Sequence, residues 1–489
     1  MSGFDIEYDV VVIGGGGAGK SAAYTAAKEG GLRVALLEKE AETGGSSVHA
    51  EGTGAFESSE QKARGKPDDA WAHYPTRQEG FQRYMDYSSK RCNPEVVRMQ
   101  VNNTAETIDI YKSLGITYTY VGIYAYDQPA ELYTFHRPEG LGARCQEVLL
   151  KACIDAGVEI FTSTPATSLI KDGDRVVGVV ARDADGQEVR VGAKAVIIAS
   201  GGFGGNPEMV LRYSRFPNAL DLGYNGPPGN TGDGANMAIA AGADTWEMGT
   251  MMFQLAASGK TFSAHISGAA VQPVLWINKK SRRFWDEHVA MSFADSANVV
   301  AAQPGAKVYA IFDSATVDHL IEDGSDVGLG DWIVFHQKLT NLRMELEEAA
   351  VEGEMCWKAD TIEELAAKCG LDPAKVAAEV ARYNGFCAAG DDADFFKDPR
   401  FLRPVTMAPY YAIELHSTIL VSCGALKVNG DMQVIDTSDQ VIPGLYAAGL
   451  DAGGLYGDAY NLDVPGTANG FAHASGRVAA RHAIATING

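Results

Sequence analysis

Val10-Val11-Val12-Ile13-Gly14-Gly15-Gly16-Gly17-Ala18-Gly19-Lys20-Ser21 is the stretch on which the fold turns. The four β-branched residues read as a buried strand, the glycines as a tight turn, and the Ala-rich run Ser21 to Lys28 as the following helix. In such a unit Gly14 permits the turn, Gly16 lets backbone approach a pyrophosphate, and Gly19 lets helix and strand pack closely, with the anion at the helix N-terminus. Glycine fills 55 of 489 positions, so the spacing alone discriminates poorly and context decides. That context is a second strand, Val34-Ala35-Leu36-Leu37, ending at Glu38, whose carboxylate can accept hydrogen bonds from a ribose. Together these features predict an α/β dinucleotide-binding fold.

The same residues fit a second pattern. Gly14 to Ser21 satisfies G-x-x-x-x-G-K-S, the phosphate loop of P-loop NTPases, with Lys20 on phosphate and Ser21 on magnesium. The run Val308 to Asp313 could supply the strand-end acid such an enzyme needs. A hydrolase has no use for Glu38, so this reading ranks below the first; the plainest alternative makes Lys20 a solvated first-turn residue.

Composition sets outer limits. A chain of 489 residues exceeds the roughly 250 to 300 at which one core stops growing, so two domains are expected. A net charge of −22 argues against nucleic acid or an anionic membrane as partner, since both would repel such a surface. The start, Met1 to Ile13, lacks a basic, apolar leader, and no apolar run is long enough to span a bilayer, so a cytoplasmic location is expected. The seven cysteines are scattered and never form C-x-x-C, which predicts reduced thiols, no metal site and no second redox centre.

Further along, Gly44-Gly45-Ser46-Ser47 and Glu51-Gly52-Thr53-Gly54 are too polar for core and suit backbone contacts with a ring system. Ala166 opens a run of strands that ends at Ala199-Ser200-Gly201-Gly202-Phe203. With Gly232-Asp233-Gly234, Arg283-Phe284 before Glu287, and Val441 to Gly449, the order of motifs resembles the flavoprotein subunits of the fumarate reductase and succinate dehydrogenase family, particularly its soluble members, along nearly the whole chain. The resemblance implies one non-covalent FAD in a glutathione-reductase-type domain, residues 1–245 and 405–489, interrupted by an α+β capping domain, 246–404. Within that cap, Thr361 to Cys369 and Asp372 to Cys387 carry capped helical patterns.

By the same resemblance Gly14, Gly16, Gly19, Glu38 and Lys39 hold the adenosine and pyrophosphate. Gly44, Gly45, Ser46, Ser47, Gly52 and Gly54 lie towards the flavin, Ala166 at the adenine and Asp233 by the phosphoribityl portion, with Ala199, Ser200 and Gly201 also on the cofactor. Gly449, Gly466, Thr467 and Ala468 close the site from the C-terminal side. The family places Glu where this chain has Leu450 and then Asp451, which puts a ribityl role for Asp451 in question.

The departures bear on the substrate. Where the family clamps two carboxylates with His and Arg, ungapped comparison places Gln254, Ser267, Ala270 and Met291, with Leu420 or Val421 and Tyr460 at the C-terminal side. A dicarboxylate there would bury charge without a partner, at a cost of several kcal/mol. A neutral aromatic or polycyclic substrate is therefore expected, with Tyr460 or Tyr456 handling a proton and His288, Glu287 and Met291 as second candidates. Electrons would come from NAD(P)H, reduced flavin or a partner protein. The chain also resembles isoflavonoid reductases that convert tetrahydrodaidzein to equol. Its Asp463-Val464-Pro465-Gly466-Thr467 is similar to the Pro-Gly turn of flavin-dependent ketosteroid dehydrogenases. Rival expectations are such a steroid desaturase, a dicarboxylate enzyme with a rebuilt site, and a flavin-binding module without catalysis.

Overall fold

The computed structural model describes residues 3–68, 72–124, 131–257, 264–328, 334–460 and 462–489. Its first strand, Ile6–Ile13, has Val10, Val11 and Val12 at zero exposure, as a parallel strand covered on both faces requires. It pairs in parallel with Val34–Leu37 on one side and Glu188–Ile198 on the other. The sheet continues through Glu159–Phe161 at one edge and through Val441–Ala447 and Gln433–Ile435 at the other. Residues near the two ends of the chain thus share one sheet. Helix Gly17–Gly30 and the C-terminal helix Thr467–Asn488 pack together beside it.

A second sheet of six strands contains Met251–Ala257, Leu275–Asn278, Lys307–Asp313, Cys356–Ala359 and the long strand Tyr410–Ser422. Tyr410–Ser422 lies past the expected boundary at 405, yet its partners are Gly223–Tyr224, Met251–Ala257, Lys307–Asp313 and Cys356–Ala359. The two helices expected from capping signals form as Ile362–Lys368 and Pro373–Ala389, with Thr361 and Asp372 accepting from the Glu364 and Lys375 amides.

One buried ion cluster ties this second unit together. Glu287 takes Arg283 Nε and Nη2 on its two oxygens, each at 2.8 Å. Arg283 also binds Asp392 at 2.7 Å, and Lys397 Nζ lies 3.1 Å from Glu287 and donates to the Pro273 carbonyl. Two cations and two anions balance. Glu287, a second candidate for the proton, is instead held inside this cluster: its side chain is 1 % exposed and both carboxylate oxygens are engaged.

Asp313 is also structural. It caps helix Ser314–Glu322 through the Thr316 amide and accepts from the Thr406 and Met407 amides. None of the helices among the described residues is long and apolar enough to cross a membrane, and all seven cysteines are free thiols.

Candidate active site

The turn after the first strand is built as its glycines require. Gly14 sits at φ +104°, and a Cβ there would lie 2.2 Å from the Ala199 carbonyl oxygen. A Cβ on Gly19 would lie 1.9 Å from the Gly14 oxygen, so only glycine lets helix and strand approach this closely. Helix Gly17–Gly30 begins at Gly16 with no side-chain cap and no acid in its first turn, which leaves amides and the positive end of the helix for an anion.

These residues open onto a cavity of 320 Å³, whose wall includes Gly14, Gly16, Glu38, Lys39, Gly44 to Ser47, Ala166, Ala199 to Gly201, Asp233 and Gly449. Of the expected cofactor residues, these converge on one space. Glu38 accepts from the Gly15 amide at 2.7 Å and the Glu40 amide at 2.9 Å, which fixes its carboxylate at the rim with lone pairs to spare. Lys39 Nζ and Asp233 pair at 2.6 Å. An uncapped helix end, a rim carboxylate and a backbone-lined channel fit the pyrophosphate, ribose and ring portions of FAD. Asp451 is turned away from the cavity: it is fully buried and accepts from the Gly201 amide at 2.9 Å and from Ser200 Oγ at 3.1 Å. Burial raises its pKa, and its role in the structure is to hold the loop that lines the cavity.

Gly52, Gly54, Gly466, Thr467 and Ala468 lie off that cavity wall. Gly54 N donates to Gly466 O at 2.8 Å, and Thr467 Oγ1 meets the Tyr84 hydroxyl at 2.6 Å. Ala468 precedes the cavity-lining Ala472 by four residues on one helix, about 6 Å along its axis. Ala468 therefore lies about one turn of helix beyond the cavity wall.

Lys20 corrects both minor expectations for it. It is 1 % exposed rather than solvated, and its Nζ donates to the Gln146 carbonyl at 3.3 Å rather than facing the cavity. Burial lowers its pKa to about 8. Ser21 is bonded to His473. With Lys20, Ser21 and Asp313 all committed elsewhere, the phosphate-loop reading is excluded.

Tyr456 and Tyr460 come together. Their ring centroids are 5.4 Å apart at 33°, and the residues are 2 % and 4 % exposed. The Ala468 backbone faces the Tyr460 hydroxyl, whereas the Tyr456 hydroxyl is buried with no hydrogen-bond partner. Burial pushes both phenols well above the ordinary range, so they stay protonated and act as donors. Among the described residues, the groups that bear most on them are Cys423, Tyr84, Tyr87 and Glu131, none of them a cation. His288 stacks on Phe401 at 5.0 Å, and Met291 is buried with Val327 and Phe401, so the second candidates form a separate cluster in the second unit.

Sequence reasoning missed Asn230, which lines the cavity and donates to Ser46 at 3.1 Å. Pro227-Pro228-Gly229-Asn230 is recognisable as a turn, but nothing local brings it to Ser46.

The fold and cavity define a flavin-dependent oxidoreductase. The chain matches the FAD binding domain family over residues 9–463 and belongs to it; its cofactor is FAD. It is 36% identical over 488 residues to the vinyl phenol reductase of Lactiplantibacillus plantarum, covering 97% of this chain and 96% of that protein. A fumarate reductase (cytochrome) of Shewanella frigidimarina is 28% identical over 92% of this chain and 72% of its own length. Among solved structures, the open conformation of a flavocytochrome c3 fumarate reductase superposes with a TM-score of 0.76 at 26% identity, covering 99% of this chain and 79% of that one. The 3-ketosteroid delta1-dehydrogenase of Sterolibacterium denitrificans gives 0.77 at 21% identity, covering 98% and 100%, a likeness of fold.

Proposed function

We propose that this enzyme reduces a neutral, hydroxylated aromatic molecule, at a carbon–carbon double bond conjugated to the ring. The observation that carries the reading is the Tyr456–Tyr460 pair, buried and protonated, with no cation among the described groups that bear most on it. A dicarboxylate in contact with these phenols would lose its hydration, gain no ion pair and face Glu131. A flat phenol stacks on such rings and exchanges hydrogen bonds with their hydroxyls. The relative that is 36% identical is named for a neutral phenol, which supports the same substrate class.

The bound flavin supplies the hydride. In this reading the chain's residues do the rest. The helix end at Gly16 and the Glu38 rim anchor the cofactor. Asp451 fixes the Ala199–Gly201 loop, and Gly466 to Ala468 extend the cofactor contacts along the C-terminal helix. Tyr460 carries the proton, and the free Tyr456 hydroxyl orients the substrate. The cap then spans 246 to about 422 rather than ending at 404, because Tyr410–Ser422 pairs within its sheet. Electrons arrive from NAD(P)H, free reduced flavin or a partner protein, and the setting is cytoplasmic.

The test is anaerobic. The flavin is reduced, and its reoxidation is followed after adding 4-vinylphenol, tetrahydrodaidzein or fumarate to separate samples. Reoxidation by 4-vinylphenol is expected. Tetrahydrodaidzein would extend the activity to isoflavonoids, and reoxidation by fumarate alone would overturn the neutral-substrate reading.

A further inference from the structure

The loop that carries both tyrosines has little regular structure of its own and is held from outside. Asn93 N donates to Gly454 O at 2.7 Å, Cys92 Sγ to Leu455 O at 2.8 Å, and Thr250 Oγ1 to Gly457 O at 2.5 Å. Asp458, between the two tyrosines, is about half exposed and joins a closed ring of four charges. Arg91 binds Asp458 Oδ2 through Nη1 and Glu247 Oε1 through Nη2, each at 2.5 Å. Arg215 binds the remaining oxygen of each, Asp458 Oδ1 through Nη1 and Glu247 Oε2 through Nη2. Each carboxylate bridges two guanidinium groups and each guanidinium bridges two carboxylates.

The ring sits on the segments that make the backbone bonds. Arg91 directly precedes Cys92 and Asn93, and Glu247 lies three residues before Thr250. Glu247 itself is held at φ +49°, a conformation a non-glycine residue keeps only when its surroundings enforce it. Single exposed ion pairs contribute little, but a closed network with two-point contacts acts as a unit, and its exposure leaves it open to screening by salt.

We propose that Asp458 is a positioning residue: through Arg91 and Arg215 it clasps the tyrosine loop, so that the placement of Tyr456 and Tyr460, and with it turnover, depends on ionic strength. The rate arm of the test rests on the substrate reading above; the fluorescence arm does not. Trp246 adjoins Glu247, and a Cβ on Gly453 would lie 2.9 Å from its Cβ, so it reports on both sides of the clasp. Its emission is taken as the difference between wild type and Trp246→Phe.

Salt is raised from about 0.01 M to about 1 M, across which the screening length falls from ~30 Å to ~3 Å. In the wild type kcat and the Trp246 emission should both change with salt. Asp458→Asn should keep its FAD and its melting temperature, lose about tenfold in kcat with KM little altered, and lose the salt response in both readouts. Arg91→Lys, which keeps the charge but not the two-point geometry, should fall between them and serves if Asp458→Asn does not fold. Asp458→Asn with wild-type kcat and wild-type salt profiles overturns the clasp. A protein that turns over no phenol, yet keeps a salt-dependent emission abolished in Asp458→Asn, overturns the substrate reading and leaves the clasp standing.

Discussion

The ring of Tyr456 lies 5.4 Å from that of Tyr460, and only Tyr460 has a backbone group facing its hydroxyl. Under the proposed function, that asymmetry assigns the proton to Tyr460 and substrate orientation to Tyr456. Replacing Tyr460 with Phe should lower kcat by about 10²-fold, the usual size of a lost proton-transfer group, with FAD content unchanged. Tyr456→Phe should act mainly on KM and leave kcat within a few-fold. Steady-state kinetics with whichever phenol reoxidises the flavin decides it, and equal effects of the two variants on kcat would remove the distinction.

Gly19→Ala should abolish cofactor binding. The new methyl would lie 1.9 Å from the Gly14 oxygen, so the turn must open and the helix end must leave the pyrophosphate. Purified protein should be colourless, and a yellow variant with full flavin content would show that the turn tolerates the change.

Acid should destabilise this protein through two buried histidines. Burial lowers His136 to about 4 and His473 to about 3, below the unfolded value near ~6.5. Between those values the unfolded chain binds more protons, so the stability is present above about pH 6.5 and drains away as pH falls through the folded pKa values. At about pH 5 the loss is on the order of 2 kcal/mol per histidine. Urea unfolding of wild type and of His473→Gln at about pH 7 and about pH 5 measures it; the variant should lose less on acidification.

Breaking the buried ion cluster should cost stability rather than chemistry. Lys397→Met leaves Glu287 and Asp392 with Arg283 alone, two buried anions against one cation, at a cost of about 3 to 5 kcal/mol. The urea midpoint should drop with the slope unchanged, while folded protein keeps its flavin. Loss of turnover at unchanged stability would instead return Glu287 to the catalytic candidates.

Much of the cofactor end could be read from the sequence because its determinants are close together. Gly14, Gly16, Gly19 and Glu38 fall within 25 consecutive residues, and each acts through backbone conformation or strand-end position, which local pattern encodes. The caps at Thr361 and Asp372 were legible for the same reason: a side chain three residues from its amide needs no distant partner.

What the tertiary structure decided is where side chains point when their partners are far away in the chain. Lys20 leaves the cofactor because Gln146 and the helix carrying it are packed against the other side of its own helix. Glu287 is buried because Asp392 and Lys397 fold back onto Arg283, and Asn230 reaches Ser46 across 184 positions. Tyr410–Ser422 joins the second sheet because its hydrogen-bond partners lie there. By itself the sequence determined the dinucleotide turn and the helix caps. The orientation of Lys20, the burial of Glu287 and the clasp around Asp458 came only with the fold, since each is fixed by desolvation and pairing between segments whose meeting no local pattern records.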